Sequence, residues 1–174
     1  MNPDLALDAI AYRDAAVLIP VVAREPAAAV ILTERTSHLS AHAGQIAFPG
    51  GKIDVADEGP AAAALREAEE EIGLDRGKVS IVGYLDPYLS RTGYRIVPVV
   101  GRVEPGYQLS LNRNEVADAF EVPLAFLLDP ANHRRASRAF MGRERYFYEM
   151  PFGERYIWGV TAGIIRGLYE QVLA

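Results

Sequence analysis

Short apolar runs separated by polar breaks predict a chain of several strands and a few helices. Val17–Ala23 and Ala29–Glu34 read as buried strands joined by a turn at Glu25-Pro26, because each run is brief and ends at turn residues. A long turn around Arg91-Thr92-Gly93 separates two later strands. The other predicted strands are Gln45–Phe48, Lys52–Val55, Val79–Leu85, Tyr94–Val103 and Ala117–Val122, and a hairpin is predicted from Arg138–Gly142 and Arg145–Met150.

Helical spacing of apolar residues marks one central helix from Pro60 to Ile72, with Gly73 just past its end. Two further helical patterns occupy Pro123–Leu128 and Thr161–Leu173. Strands interrupted by helices predict an α/β fold with a mixed sheet and helices on both faces. The apolar stripe of the central helix consists of Ala61, Ala64, Leu65, Ala68 and Ile72.

The same helix carries an unusual concentration of carboxylates. At about 100° per residue, Glu67, Glu70 and Glu71 fall together on one side, which we expect to face away from the core, and Glu69 falls on the other flank. Like charges three or four residues apart cost roughly 0.2–0.5 kcal/mol per pair. Arg66 offsets part of this repulsion because it precedes Glu70 by one helical turn. A solvated acidic face is the commoner explanation of such a run, and a bound cation is the alternative.

The Gly50-Gly51 pair before the helix favours the cation. Glycines let the backbone turn sharply and approach a ligand closely, so a carbonyl from this turn can join the three carboxylates. Oxygen ligands of this kind suit Mg²⁺ or Mn²⁺ bound together with substrate phosphates. We therefore expect a site for phosphoanhydride chemistry, in which the metal neutralises phosphate charge and activates water.

Composition narrows the class of protein. The 174 residues suit a single domain, residues 1–174, and the chain has no cysteine for disulfides, thiolate metal sites or a thiol nucleophile. A net charge of -5 argues against nucleic-acid binding. No apolar run reaches the ~20 residues that a membrane span needs, and the first ten residues do not resemble a targeting segment. We expect a cytoplasmic protein.

The segment from Arg66 to Leu74 resembles the second half of the Nudix hydrolase motif, Arg-Glu-U-x-Glu-Glu-x-Gly-U, in which U is apolar. The first half fits with one extra residue, because six residues rather than five separate Gly51 from Glu58. Either Asp57 or Glu58 takes the place of the first motif glutamate. The resemblance implies a Nudix-type α/β/α sandwich that hydrolyses nucleoside diphosphate derivatives with Mg²⁺ or Mn²⁺.

An upstream segment resembles coenzyme A pyrophosphatases within that family. Residues 32–36, Gly44 and the segment Phe48-Pro49-Gly50-Gly51 match a subfamily motif with the correct spacing. Thr36 replaces a serine or alanine of that motif, and Ser40 replaces its second arginine. Further similar segments extend the resemblance over roughly residues 30 to 165. The implied substrate is coenzyme A or a derivative, and the implied products are 3′,5′-ADP and 4′-phosphopantetheine.

The resemblance also implies roles for individual residues. Glu67 and Glu71 match the most regular metal ligands, Glu70 matches a further one, and the Gly51 carbonyl matches a backbone ligand. Arg66 matches the residue that orients the glutamates. The remaining candidates are Glu115 as an additional ligand or base, Arg35 as a phosphate contact, and Gly50, Arg91 and Tyr94 as substrate-binding residues, with Arg95 as a further cavity candidate.

Alternatives stay open at this level. ADP-ribose, NADH or another nucleotide can replace coenzyme A as substrate, and a Nudix module that binds nucleotides without catalysis is the rival from another class. His38 and His42 are weaker substrate contacts, and a homodimer is not excluded. Five late aromatic residues are expected in the core or at a dimer contact rather than against a ligand: Tyr146, Phe147, Tyr148, Phe152 and Trp158.

Overall fold

The computed structural model describes residues 11–37, 44–140 and 142–173, so the predictions for His38, Ser40 and His42 lie outside the described residues. Three α-helices are α1 (Pro60–Ile72), α2 (Leu124–Leu128) and α3 (Gly159–Val172). Short 3₁₀ turns occupy Arg76–Lys78 and Pro130–Asn132. The strands are β1 (Arg13–Val22), β2 (Ala29–Arg35), β3 (Ile46–Ala47), β4 (Gly50–Lys52), β5 (Val79–Tyr84), β6 (Tyr88–Leu89), β7 (Tyr94–Val103), β8 (Val116–Pro123), β9 (Arg134–Phe140), β10 (Arg143–Phe152) and β11 (Arg155–Trp158).

Eight strands form one mixed sheet with the order β3-β2-β1-β7-β5, in which β4 pairs with β1, β6 with β7 and β8 with β2. The pairing of β1 with β7 is parallel and the other pairings are antiparallel. A second, antiparallel sheet has the order β11-β10-β9. The prediction of a mixed sheet is therefore confirmed.

Strands β1 and β2 pair over only two residues each and then diverge. Val21 and Val22 of β1 lie opposite β2, whereas Ala15–Val17 of β1 pair with β4. Farther along β2, Thr33 and Glu34 pair with β3. The β3–β4 segment therefore lies between the two diverging strands, which places the predicted Gly50-Gly51 turn beside the middle of the sheet.

Two apolar clusters cover the two faces of this sheet. One cluster joins Leu18 and Ile31 to the alanine face of α1. The other joins Ile19 and Leu32 to α2, α3 and the small sheet. Successive strand residues point to opposite faces, so neighbouring residues of one buried strand serve both clusters. The expectation of helices on both faces is confirmed.

Several predicted boundaries were wrong. The strand predicted at Lys52–Val55 is Gly50–Lys52 instead, and the one predicted at Gln45–Phe48 is only Ile46–Ala47. Strands β6 and β11 were not predicted, because they are two and four residues long and too short for a periodic pattern. Within the described parts of the chain, no helix is long and apolar enough to cross a membrane.

Candidate active site

Helix α1 has the predicted bounds, and its C-terminus is fixed from two directions. Gly73 adopts a left-handed conformation (φ 66°, ψ 23°), which ends the helix. The loop before β8 then supplies two donors: the N–H of Ser110 to the Ile72 carbonyl at 2.9 Å and that of Asn112 to the Glu71 carbonyl at 2.9 Å. The acidic turns of α1 are therefore held rigidly beside this loop.

The glycine pair of β4 lets α1 lie close to the sheet. A Cβ atom added to Gly51 would lie 2.5 Å from the carboxyl carbon of Glu67, closer than real Cβ contacts. A Cβ atom added to Gly50 would lie 2.4 Å from the backbone oxygen of Ala16. Ala63, Ala64 and Ala68 are buried in the cluster between the helix and the sheet. Small residues on both elements therefore bring the carboxylates against the backbone of β4.

Glu71 corrects the prediction that all three acids face away from the core. Its side chain is 7% exposed, and its Oε2 accepts a hydrogen bond from the Gly50 N–H at 3.1 Å. Arg35 Nη1 lies 4.0 Å from Glu71 Oε1. Burial raises the pKa of Glu71 to about 7, the Gly50 N–H opposes this, and the negative charge of Glu67 adds to it. A positive charge placed close to this buried carboxylate would stabilise its ionised form.

Glu67 lies between the buried and the exposed acids. Its side chain is 18% exposed, and its Oε1 accepts a hydrogen bond from Arg66 Nη1 at 3.0 Å. Burial raises the pKa of Glu67, Arg66 lowers it, and the charges of Glu70 and Glu115 raise it further. Glu115 also raises the pKa of Glu71, so its charge acts on both of the less exposed acids of the helix.

Arg66 connects the acidic helix to the segment before it. Its Nε and Nη2 donate to the two oxygens of Asp57, each at 3.0 Å, and Nη2 also donates to the Lys52 carbonyl at 3.1 Å. Its Nη1 donates to Glu70 Oε2 at 3.2 Å, so Glu70 is exposed but held. This bidentate geometry is the strongest form of an arginine–carboxylate contact.

Asp57, rather than Glu58, contacts the arginine. The Arg66 guanidinium, helped by the N–H of Asp54, lowers the pKa of Asp57. Glu58 is exposed. The extra residue in the first half of the motif is therefore accommodated between Asp57 and the helix, and Asp57 lies at the position of the arginine partner.

Glu69 lies apart from the other acids, on the flank predicted for it. It is exposed and forms an ion pair with Arg76 in the turn after α1. Glu115, in contrast, lies near Glu67 and Glu71 although it comes from the loop before β8. Asn112 Nδ2 donates to Glu115 Oε1 at 3.1 Å, and Thr36 N–H donates to the Glu115 carbonyl at 3.0 Å.

A cavity of about 460 Å³ opens beside the glycine pair. Arg35, Gly50, Gly51 and Tyr94 line it, which brings four of the predicted residues together. The Nε of Arg35 is buried and has no hydrogen-bond partner among the described residues. The rest of the wall is formed mainly by apolar residues of β1, β3, β7 and α3 and of the segment between β3 and β4, including Val17, Ile46, Phe48, Ile96, Val160 and Ile164.

Two predicted substrate contacts do not line this cavity. Arg91 is exposed on the turn before β7, and its neighbours Ser90 and Thr92 form the wall instead. Arg95 is exposed and pairs with Asp14 through two hydrogen bonds of 2.7 and 3.0 Å. Alternation along the strand explains the difference from Tyr94, which points into the cavity.

Trp158 lines the cavity, contrary to the expectation that it belongs to the core or to a dimer contact. Its ring lies 5.6 Å from that of Phe147 and stacks on that of Tyr156 at 6.2 Å. The sequence feature that could have identified Trp158 is the segment from Ile157 to Ala162, which is one of the segments that resemble coenzyme A pyrophosphatases. Its place on the unpredicted strand β11 is why periodicity alone missed it.

The carboxylate oxygens of the acidic region are suitable ligands for a hard divalent cation. In this structure they instead contact Arg66 and the backbone N–H of Gly50. Within the described ranges, no group of three or more histidine or carboxylate side chains is already arranged to hold a metal ion. Two partly buried carboxylates with raised pKa values, Glu67 and Glu71, nonetheless lie close together against a glycine backbone. Oxygen ligands of this type are those that Mg²⁺ and Mn²⁺ prefer.

Comparison with known proteins decides the family. The model of the NUDIX domain matches residues 12–141. The Nudix hydrolase NudL of Escherichia coli O7:K1 is 41% identical over 172 residues, covering 99% of this chain and 89% of that protein. The chain belongs to the Nudix family. NudL of Escherichia coli K12 is 40% identical over the same length.

Solved structures agree on the fold. RenU, a Nudix hydrolase from M. smegmatis, has a TM-score of 0.58 at 24% identity, covering 70% of this chain and 83% of that one. The NUDIX domain of Shewanella oneidensis NrtR, complexed with ADP ribose, has a TM-score of 0.57 at 18% identity, covering 93% and 89%. As a Nudix hydrolase, the protein acts on a pyrophosphate bond of a nucleotide derivative.

Proposed function

We propose that this Nudix hydrolase cleaves the pyrophosphate bond of coenzyme A or a derivative, giving 3′,5′-ADP and 4′-phosphopantetheine. The observation that carries the proposal is the position of the upstream motif. Arg35, Phe48, Gly50 and Gly51 all belong to the segment that resembles coenzyme A pyrophosphatases, and all four line the cavity beside the acidic helix.

The metal site of this proposal comprises Glu67, Glu70 and Glu71 with the carbonyl of Gly51. A bound Mg²⁺ or Mn²⁺ ion supplies charge neutralisation at the phosphate oxygens and lowers the pKa of water. Glu70 is exposed, and its hydrogen-bond partner among the described residues is Arg66, so it can turn toward a cation at little cost. Asp57 keeps Arg66 in place when the glutamates turn, because its two hydrogen bonds to the guanidinium do not involve them.

Arg35 binds a phosphate oxygen in this proposal. Its guanidinium lines the cavity, lies 4.0 Å from Glu71 and has a buried Nε with no partner among the residues described. Glu115 serves either as a further metal ligand or as the base that accepts a proton from the attacking water. Its Oε1 is already fixed by Asn112, which holds the carboxylate toward Glu67 and Glu71.

Bond changes follow from hydrolysis of an anhydride. One oxygen of water forms a bond to phosphorus, and the bond from that phosphorus to the bridging oxygen breaks. Both products then carry a phosphate monoester; one proton of the water passes to the base, and the other stays on the phosphate that received the oxygen until it dissociates. The apolar wall of the cavity suits the pantetheine arm, since it is lined by Val17, Ile46 and Val160.

ADP-ribose or a dinucleotide is the second candidate substrate. Ser40 replaces an arginine of the coenzyme A motif, which removes one cation that could contact a substrate phosphate. The NrtR domain that shares this fold is complexed with ADP ribose. A non-catalytic binding module is a weaker rival, because Glu67, Glu70 and Glu71 are all present.

A substrate panel tests the proposal. Purified protein in Mg²⁺ and, separately, in Mn²⁺ is incubated with coenzyme A, ADP-ribose, NADH and a nucleoside triphosphate, and products are separated by liquid chromatography. We expect the highest kcat/KM with coenzyme A. Turnover of ADP-ribose without turnover of coenzyme A would contradict the substrate assignment, and tight nucleotide binding with no turnover would favour the binding module.

A further inference from the structure

The small sheet has one face in the core and one face beside the cavity. Alternate residues of a strand point to opposite sides, so Tyr148 and Met150 of β10 pack in the core with α3. Phe147 and Glu149 point the other way. Trp158 lies directly opposite Glu149 on β11, and its ring contacts those of Phe147 and Tyr156. We call the surface formed by Phe147, Tyr156 and Trp158 the aromatic face.

Positive charge lies on the same side of the sheet. Arg138 of β9 lies directly opposite Arg145 of β10, and Arg134 lies opposite Glu149, so all three arginines share the side of Phe147. Like charges directly opposite each other destabilise a sheet. A basic group of this kind is unexpected in a chain with net charge -5. A group of this kind can attract an anionic ligand.

Arg138 is an arginine of this group that can contact a ligand. It is exposed, and no carboxylate among the described residues lies within ion-pair distance of it. The hydrogen bond to Glu149 raises the pKa of the Tyr156 hydroxyl, and the charge of Arg138 opposes this rise, so the Arg138 guanidinium lies within electrostatic range of the aromatic face. Glu149, a carboxylate on that face, already accepts a hydrogen bond from Tyr156.

The aromatic face is continuous with the cavity because Trp158 belongs to both. A nucleotide whose pyrophosphate lies near Gly51 and Arg35 can therefore extend its base along Trp158. Aromatic side chains stack on bases for about 1–3 kcal/mol per base in other proteins. A phosphate monoester on the ribose would then lie beside the basic group at the edge of that face.

We propose that Trp158 stacks on the adenine of the substrate and that Arg138 binds a phosphate monoester on its ribose, as in adenosine 3′,5′-bisphosphate. This inference rests on the proposed function, since it concerns the nucleotide half of that substrate. Arg138 and Trp158 are specificity-determining residues in this account, and neither takes part in bond cleavage. The site selects nucleotides with a second phosphate over those without it.

Trp158 is the only tryptophan of the chain, so its fluorescence reports binding at this face directly. Adenosine 3′,5′-bisphosphate and 5′-AMP are titrated separately into the wild type, and neither contains a pyrophosphate bond to be cleaved. We expect both to quench Trp158, with the bisphosphate binding about tenfold more tightly, as one charge-assisted contact provides.

The variant Arg138→Gln is expected to bind the bisphosphate only as tightly as 5′-AMP, and Arg138→Lys to recover part of the preference. Arg135→Gln is the matched control: it removes the same charge from the same strand, on the opposite face, where Arg135 lies over Tyr146. It should keep the full preference. Equal affinity for the two ligands in the wild type, or an unchanged preference in Arg138→Gln, would overturn the proposal.

Kinetics separate this inference from the proposed function. Coenzyme A and dephospho-coenzyme A differ only in the ribose phosphate, so Arg138→Gln should lower kcat/KM about tenfold for the first and leave the second unchanged. A loss shared equally by both substrates would contradict the inference. If neither substrate is hydrolysed but the bisphosphate preference depends on Arg138, the coenzyme A assignment fails and the phosphate site stands.

Discussion

The backbone N–H of Gly50 donates a hydrogen bond of 3.1 Å to Oε2 of Glu71. This contact joins the start of β4 to the last turn of α1, and it keeps a nearly buried carboxylate next to the cavity. Because the donor is a backbone N–H, a substitution at position 50 other than proline removes the contact only by displacing the backbone. Gly50 therefore belongs to the turn and also contacts a carboxylate of the acidic site directly.

Gly51→Ala tests the close approach of α1 to β4. The added methyl would lie 2.5 Å from the Glu67 carboxyl carbon, and that carboxylate is the mobile end of a side chain. We expect Glu67 to move aside, so the melting temperature changes little while kcat falls at least tenfold. Thermal unfolding and initial rates check this, and a fully active Gly51→Ala enzyme would contradict the role of Glu67.

Gly50→Ala should behave differently although the change is the same. Here the methyl would meet the Ala16 backbone oxygen at 2.4 Å, and Gly50 has φ 156°, which an L-residue rarely adopts. Backbone atoms cannot step aside, so we expect a loss of stability of about 2 kcal/mol or more. Denaturant unfolding measures it, and equal stability of the two alanine variants would show that the packing argument is wrong.

Asp57→Asn and Glu58→Gln distinguish the two candidates for the first motif acid. Asp57 holds Arg66 through two hydrogen bonds of 3.0 Å, whereas Glu58 is exposed. Asp57→Asn is expected to lower both the melting temperature and kcat, because Arg66 loses its anchor. Glu58→Gln should leave both unchanged. A larger effect at Glu58 would reverse the assignment.

Local sequence rules predicted the elements with strong local signals. Helix α1 begins at Pro60 and ends before Gly73 as expected, because an N-terminal proline and a left-handed glycine determine its bounds whatever surrounds the helix. The outlying position of Glu69 followed from helical periodicity in the same way. Strand β11 has no such signal, so the position of Trp158 beside the cavity could not be predicted from periodicity.

The burial of Glu71 shows what periodicity cannot determine. A helical wheel places Glu71 between Glu67 and Ala68, at the border of the polar and apolar sides. Which side it joins depends on the element that packs there. Side chains on β4 would keep α1 farther from the strand and leave Glu71 exposed to solvent. Because Gly50 and Gly51 have no side chains, α1 approaches closely and the Glu71 carboxylate is buried.

The raised pKa of Glu71 predicts how the metal-free protein depends on pH. Because its pKa rises from 4.5 to about 7 on folding, the folded chain binds more protons than the unfolded chain between these values. This contribution to stability is fully present below about pH 4.5 and is lost as the pH rises through about 7. The total is at most about 3 kcal/mol.

Chemical unfolding of the wild type and Glu71→Gln in EDTA, from pH 5 to pH 8, measures this contribution. Carboxylates distant from Glu71 affect both proteins alike, so the difference between them reports on Glu71 together with its coupling to Glu67 and Glu115. We expect Glu71→Gln to gain stability relative to the wild type as the pH rises. A difference that stays constant across the range would mean that Glu71 is ionised throughout.

Added Mg²⁺ should stabilise the wild type and should do so more at pH 8 than at pH 6. Metal ligands must be deprotonated, and a ligand that binds only the folded state raises its unfolding free energy. The melting temperature with and without Mg²⁺ gives the effect, and Glu71→Gln should lose most of it. The matched variant Glu69→Gln removes an acid paired with Arg76 on the other flank and should keep it.

The initial rate of coenzyme A hydrolysis in Mg²⁺ by the wild type, Glu71→Gln and Glu69→Gln tests the central claim most directly. The account predicts 3′,5′-ADP and 4′-phosphopantetheine as products, a loss of at least a hundredfold in Glu71→Gln, and a wild-type rate in Glu69→Gln. Wild-type turnover by Glu71→Gln would contradict the claim that the acidic face of α1 performs the reaction.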